Sequence, residues 1–304
     1  MTCVAIITDD PGWHGRQLRT AFARRGVDSC YASLTNARIR LDDETSVELQ
    51  GFDGRLPDAV FVRGIPGGSL EQVVYHLNVL HVLRDLGVPV YNDGRAIERS
   101  VDKSLTTLRL RQAGLPSPPT WVCSERRLAV ETIRRETARG QTLLCKPLFG
   151  SQGNGIKRVA APDDLPDAEA VGNVWYLQQF VDGNAASVSD WRVFVVGGRA
   201  IAAMRRTAAG WLANVAQGGQ CQAALPEGEL AQLAEAATRC LDMAYAGVDL
   251  MRDGDGHWWL IEVNSIPAWK GLQGVSKIDI AGHLADDLLR VCYPSCSESG
   301  EAVS

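Results

Sequence analysis

The stretch Trp258–Pro267, WWLIEVNSIP, sets a carboxylate, Glu262, two residues before an amide, Asn264, inside an otherwise apolar run. Side chains alternate across a strand, so these two groups share a face. A polar group left without a partner among apolar neighbours costs roughly 1–3 kcal/mol, so both require one. The Asp-Gly-Asp-Gly at 253–256 is a turn signal that pairs 245–251 with 257–263 as an antiparallel hairpin. That turn brings Asp249 across the ladder to the same group. Two carboxylates and an amide repel and desolvate one another unless a cation neutralises them. Oxygen-only donors suit Mg²⁺ or Mn²⁺ better than zinc. On the hairpin alone, a solvent-facing polar stripe is the competing reading.

A second cluster is KPLFGSQGNGI, 146–156. Lys146 ends an apolar strand, and a loop with Gly150, Ser151, Gly153 and Gly155 follows. Glycines let backbone N–H groups converge on an anion, and a neighbouring lysine suits phosphate. The loop lacks the G-K-[ST] of a P-loop and precedes a strand-like IKRVA, so it is not a dinucleotide fingerprint either. An ordinary glycine turn is the alternative. Lys103 opens a helix in SVDKSLTTLRLRQAGLP, where a cation is slightly unfavourable with the helix dipole, which hints at another duty. Asp190 and Arg192 in DWRV, Arg205 and Arg206 in MRR, and Asn214 in WLAN add polar groups at strand ends. Guanidinium forks suit carboxylate or phosphate; surface ion pairing is the bland alternative for each.

The elements that must position these groups alternate at first. Strand 3–8, a helix at about 14–25, the run VDSCYAS, PDAVFVRG, a helix at about 69–86 and VPVYN read as β-α-β units on a parallel sheet. The proline-rich GLPSPPT, 114–120, is a connector. Strand, a helix at about 125–139, TLLCKP, the glycine loop and WYLQQFV follow. Beyond 190, strands dominate, interrupted by a helix at about 227–243 and closed by one at about 278–291. The fold class expected is α/β and α+β. The divisions are an N-terminal α/β domain at 1–100, a middle lobe at 101–181, a C-terminal lobe at 182–294 and a flexible tail at 295–304.

The composition, 45% hydrophobic and 22% charged, is that of a globular protein. A net charge of −5 gives no reason to expect nucleic acid or a membrane surface as partner. No apolar run reaches the ~20 residues of a membrane span, and MTCVAIITDD reads as a first strand, not a signal peptide. The eight cysteines are scattered and never form C-x-x-C, which suits reduced thiols in a cytoplasmic protein.

The order of these features resembles the ATP-grasp superfamily, and within it the RimK-like amino-acid ligases. A D-K helix comes first. A strand lysine, a glycine loop, Q-Q-F-V, D-x-R, R-R, N-x-x-x-G-G, G-V-D and E-V-N then follow across nearly the whole chain. The resemblance implies an ATP-grasp fold behind a parallel-sheet pre-ATP-grasp domain. ATP would lie between the middle and C-terminal lobes. Lys103 and Lys146 would contact its phosphates and adenine-side groups, and Gly150 to Gly155 would close over the phosphates. Gln178, Gln179, Phe180 and Val181 would link the lobes and meet adenine. Asp190 would lie near the ribose and Asn214 near the phosphates, while Asp249, Glu262 and Asn264 would hold two Mg²⁺ or Mn²⁺ ions. The implied reaction makes an amide through an acyl phosphate, with Arg192, Arg205 and above all Arg206 steadying carboxylate and oxyanion.

The resemblance further implies L-glutamate as the added amino acid. The carboxylate-bearing acceptor would be a small coenzyme of the tetrahydromethanopterin or deazaflavin type, or a peptide tail. Departures bear on that acceptor. Leu212-Ala213-Asn214 stands where glutamate-adding relatives often read R-S-N, and Gln217 replaces an arginine before Gly-Gly. Trp269 and Lys270 follow the metal strand; Trp269 is expected either to stack on a flat acceptor or to pack an interface. Family members often form dimers or tetramers. Two other classes fit the same fold: a non-catalytic ATP-binding regulator, as synapsin-like members suggest, and a small-molecule kinase. The intact Asp249, Glu262, Asn264 set with Lys146 and Arg206 favours the ligase.

Overall fold

In the computed structural model the apolar run after Thr2 forms β1 (Cys3–Ile7), followed by α1 (Gly12–Ala23) and β2 (Asp28–Ala32). A small hairpin, β3 (Arg38–Leu41) with β4 (Thr45–Glu48), precedes β5 (Ala59–Val62), α2 (Leu70–Asp85) and β6 (Val90–Tyr91). The four main strands are parallel in the order β2-β1-β5-β6. Val4, Ile6, Ile7, Val60 and Phe61 are completely buried, as strands covered on both faces must be. α2 begins on a reciprocal cap: Ser69 Oγ accepts from Gln72 N–H, and Gln72 Oε1 accepts from Ser69 N–H.

The structure describes residues 2–42, 45–150, 153–182, 188–208 and 220–292. They divide into two compact units. One runs to Arg95 and takes in Ala268–Lys270 and the chain from Asp279 onward; the other holds Ala96–Pro267 and Gly271–Ile278. The expected tail at 295–304 lies outside the described residues.

After α3 (Gly94–Val101) and α4 (Lys103–Gln112), the second unit builds two antiparallel sheets. The first uses β7 (Thr120–Cys123), β8 (Leu143–Lys146), β9 (Lys157–Val159) and β10 (Trp175–Gln179) in the order β7-β10-β8-β9, with α5 (Arg126–Thr137) on one face. Leu143, Cys145, Trp175 and Leu177 pack there against Ala129 and Ile133. The second uses β11 (Val188–Val196), β12 (Arg199–Ala208), β13 (Gln220–Ala224), β14 (Tyr245–Arg252) and β15 (Trp258–Asn264) in the order β13-β12-β11-β14-β15. α6 (Gly228–Cys240) covers Val193, Val195, Ala203, Val248, Leu250, Leu260 and Val263. Since side chains alternate, each sheet turns its polar residues to the face its helix leaves open. α7 (Lys270–Val275) and α8 (Ile280–Cys292) end the described chain.

In the first unit, Arg25 reaches α8. Its Nε and Nη2 donate to Asp286 Oδ1 and Oδ2 at 2.5 and 2.6 Å, and Nη2 also donates to Gly282 O at 3.0 Å. The buried Tyr91 hydroxyl donates to Asp287 Oδ2 at 2.6 Å. The cysteines among the described residues are free thiols. No described helix is long and apolar enough to cross a membrane.

Candidate active site

The hairpin of β14 and β15 is closed by Asp253, whose Oδ1 accepts from the backbone N–H groups of Asp255 and His257 at 3.0 and 2.9 Å. The turn sets the register. Asp249 stands directly opposite Glu262, and Gly247 opposite Asn264, with a bulge between Asp249 and Leu250 that leaves Ile261 as the extra residue. The three oxygen donors therefore share the sheet face that α6 does not cover.

Two arginines come to the same face from β11 and β12. Arg192 lies opposite Asp249 and grips it with both arms, Nε to Oδ1 at 2.7 Å and Nη2 to Oδ2 at 2.6 Å. Arg206 lies opposite Asp190 and holds it the same way at 2.6 and 2.7 Å, while its Nη2 also reaches Asp249 Oδ2 at 3.0 Å. The order across the four strands β15, β14, β11 and β12 is thus Glu262, Asp249, then Arg192 and Asp190, then Arg206. Burial pushes the Asp249 carboxyl up, but the two guanidiniums outweigh it and hold the group below the usual carboxylate range. For Asp190 burial wins against Arg206 and raises it to about 6.

Glu262 differs. Among the described residues its half-buried carboxylate makes no direct hydrogen bond or ion pair. It is instead the strongest attractive charge acting on both Lys103 and Lys146. A carboxylate with no bonded partner, beside a second carboxylate and next to an amide, is a donor set that fits a hard divalent cation. The Asn264 amide is nearly free as well, its Nδ2 lying 3.5 Å from Gly247 O.

The lysines come from the other sheet and from α4. Asp102 caps α4 by accepting from Ser104 N and Leu105 N at 2.8 and 3.1 Å, which fixes Lys103 as the first helical residue. Its Nζ donates to Gly150 O at 2.8 Å and Leu148 O at 3.4 Å, so this lysine holds the glycine loop. Gly155 has φ +74°, and a Cβ there would lie 2.8 Å from Pro147 Cγ. Lys146 is only 5% exposed and donates to Gln178 Oε1 at 2.6 Å. Burial lowers its pKa to about 8, opposed by Glu262 and assisted by Lys103.

The remaining sequence-derived residues divide. Gln179 and Phe180 follow Gln178, but their N–H groups donate to Pro119 O and Thr142 O at 2.8 and 2.9 Å. The Phe180 ring lies under Arg158, 4.8 Å from its guanidinium carbon, and Val181 is 8% exposed. Asp190, expected near a ribose, is the anchor of Arg206. Arg205 does not join the cluster. Consecutive strand residues point to opposite faces, and Arg205 sits over Trp191 at 5.2 Å with its Nη2 on Ser189 Oγ at 2.9 Å. Ser151, Asn214 and the substituted positions Leu212, Ala213 and Gln217 lie outside the described residues.

Trp269 is a packing residue: it is completely buried in the first unit, with the His14 and Trp13 rings edge-on at 4.5 and 6.3 Å and Arg63 over its ring at 5.2 Å. A ring so enclosed has no face left for stacking. Sequence reasoning missed Tyr176 and Thr107, which join the lysines' hydrogen-bond network. Alternation in WYLQQ already puts Tyr176 on the face of Gln178.

A strand lysine and a glycine loop on one sheet, a helix lysine beside them, and paired carboxylates and arginines on a second sheet define the ATP-grasp class, and comparison with solved structures agrees. The ATP-grasp ligase PsnB, solved with a minimal precursor, Mg and ADP, matches with a TM-score of 0.73 and 21% identity, over 95% of this chain and 98% of that one. Residues 100–288 match the RimK-like ATP-grasp domain, and the chain belongs to that family of ATP-dependent ligases. Relatives include the tetrahydromethanopterin:alpha-L-glutamate ligase of Methanocaldococcus jannaschii, 33% identical over 77% of this chain and 79% of the relative. The ligase of the same name from Methanococcus maripaludis is 28% identical over 94% of this chain and 97% of the relative.

Proposed function

We propose that this protein uses ATP to join the amine of L-glutamate to a carboxylate on a small coenzyme acceptor of the tetrahydromethanopterin type. The observation that carries the reading is the unequal pair Asp249 and Glu262: two facing carboxylates, of which the protein neutralises one. The acceptor class is supported by the names of the relatives. The buried Trp269 removes the stacking argument for it.

In this reading Asp249, Glu262 and Asn264 hold Mg²⁺ or Mn²⁺, two ions in all, which offset charge on the transferring phosphoryl group when bound. Lys103, Lys146 and the loop from Gly150 to Gly155 hold the phosphates, with Ser151 and Asn214 assisting. With the N–H groups of Gln179 and Phe180 engaged, adenine contacts from the 178–181 segment fall to its carbonyls and to Val181 N–H. The acceptor carboxylate attacks the γ-phosphorus and ADP leaves. The glutamate nitrogen then attacks the acyl carbon, a proton is lost from that nitrogen, and phosphate departs as the amide forms. Arg206, with Arg192 beside it, faces the oxyanion that develops at that carbon. Arg205, on the other face, has no part in this step.

Incubation with ATP, Mg²⁺, glutamate and a tetrahydromethanopterin-type acceptor is expected to release ADP and phosphate in equal amounts. The acceptor should gain the mass of a glutamyl residue. ADP with a phosphorylated acceptor and no amide would instead identify a kinase.

A further inference from the structure

A directed chain of hydrogen bonds joins the two lysines through residues that touch neither of the site's carboxylates. Lys146 Nζ donates to Gln178 Oε1 at 2.6 Å, and this fixes the amide orientation, since only the oxygen can face an ammonium. The Gln178 Nε2 then donates to the Tyr176 hydroxyl at 3.1 Å and to Thr120 Oγ1 at 3.3 Å. Thr107 Oγ1 has one proton, and it is directed to Lys103 O at 2.8 Å. The 2.7 Å bond between Thr107 and Tyr176 must therefore be donated by the tyrosine. Every donor in the series points the same way, from Lys146 to the main chain of Lys103.

The circuit then closes on itself. The Lys103 ammonium donates to Leu148 O and Gly150 O, two and four residues beyond Lys146. Lys146, Tyr176, Gln178 and Thr107 are 5%, 2%, 2% and 9% exposed, so water cannot replace a missing link. A buried polar chain of this kind has one fully satisfied arrangement, and removal of any link leaves a buried donor or acceptor unpaired.

We infer that Tyr176 and Thr107 are positioning residues for nucleotide binding: their hydroxyls lock the spacing of Lys146 and Lys103 before ATP arrives. The inference rests on the proposed role of those lysines toward the phosphates. Neither hydroxyl touches substrate in this assignment. Their effect is preorganisation, so loss of either falls on ATP binding.

The test measures the Kd for MgATP by calorimetry on the full chain, with KM and kcat where the acceptor is in hand. Tyr176→Phe and Thr107→Val each keep the shape and remove a link. Each is expected to weaken MgATP about tenfold and to raise the KM for ATP alike, with kcat within threefold of the parent. Thr107→Ser keeps the hydroxyl and should bind like the parent. The double variant Tyr176→Phe/Thr107→Val should be no weaker than the worse single variant, because one chain can be cut only once.

Lowered thermal stability with an unchanged Kd in both single variants overturns the inference, and so does an additive double variant. Should Tyr176→Phe fail to fold, the contrast of Thr107→Val with Thr107→Ser decides alone. Lys146→Met separates the two levels. If it leaves the Kd unchanged, the proposed role of the lysine fails. If it weakens MgATP while Tyr176→Phe does not, only the positioning inference fails.

Discussion

Asp249 and Glu262 face each other across β14 and β15, yet two guanidiniums hold the first, and no described side chain bonds to the second. The asymmetry separates their duties. Asp249 is already fixed in place, whereas Glu262 has its coordination capacity open. Glu262→Gln keeps the size and removes the charge. Its kcat is expected to fall by about 100-fold or more, in line with loss of one transition-state charge partner, while the melting temperature stays near that of the parent. Release of ADP, followed with a coupled assay, checks the first expectation and a thermal melt the second. Near-parental turnover would remove Glu262 from the metal set.

Arg206 bridges two carboxylates: it is the two-armed partner of Asp190 and adds a third hydrogen bond to Asp249, which Arg192 already grips. A lysine keeps the charge but cannot hold one carboxylate with two arms while reaching a second. Arg206→Lys is therefore expected to cost about 2–4 kcal/mol of stability, because a buried pair is broken. It should also reduce kcat by about 100-fold. Urea unfolding and steady-state kinetics measure the two effects. Arg205→Lys, on the other face of the same strand, should leave kcat unchanged.

Which side chains share the face of the candidate site was mostly legible, because strand geometry is local. Alternation put Glu262 and Asn264 together, and the DGDG turn aligned Asp249 with them. The same rule should have separated Arg205 from Arg206, since neighbours in a strand cannot share a face, and the doubled arginine obscured it. The hairpin of β3 and β4 went unread although RIRL alternates. Trp269 could not be placed from its surroundings, because its packing partner His14 lies far away in the sequence. The backbone N–H groups of Trp269 and Lys270 both donate to that ring, at 3.1 and 3.2 Å.

That contact makes the first unit acid-sensitive. His14 Nε2 accepts both bonds, so the ring must be neutral with its proton on Nδ1. Burial, then the charges of Arg63 and Lys270, depress its pKa from 6.5 to about 4. Between those two values the unfolded chain binds a proton that the folded one refuses. Stability is full above pH 6.5 and is lost as pH falls toward 4, by about 2 kcal/mol after allowance for partial exposure. Thermal melts of the parent and of His14→Gln across this range check it. The variant's curve should lack that slope.

In the proposed assignment, Lys146 sets an alkaline limit on catalysis. Its pKa, lowered by burial to about 8, means that the free enzyme loses the ammonium just above neutrality. The kcat/KM for ATP reports free-enzyme groups and should fall above pH 8. Stability runs the other way. From about 8 to the ordinary 10.5 the folded state has released a proton that the unfolded chain still holds, so the ligand-free protein gains stability with rising pH. Lys146→Arg should remove the alkaline limb of the rate profile at whatever activity remains. A limb that persists in Lys146→Arg assigns it to another group.

Gly247 ties β15, the strand of the proposed metal donors, to the chain that follows it. It sits opposite Asn264, its carbonyl is the Asn264 amide's neighbour, and a Cβ on it would lie 2.6 Å from Pro267 Cβ. No Cβ sits that close to a ring carbon, so Gly247→Ala must displace Pro267, a stiff residue three positions after Asn264. Overpacking of this kind costs about 1–3 kcal/mol, and the displacement is transmitted along Ser265 and Ile266 to the donor set. The Mg²⁺ concentration for half-maximal activity is expected to rise about tenfold, the equivalent of ~1.4 kcal/mol in binding. Val248→Ala supplies the comparison, because Val248 points to the opposite face, into the core under α6. It should lower stability by a similar amount and leave the Mg²⁺ requirement where it was. If both variants shift the requirement equally, the effect belongs to general loosening of β14 and not to the Gly247–Pro267 contact.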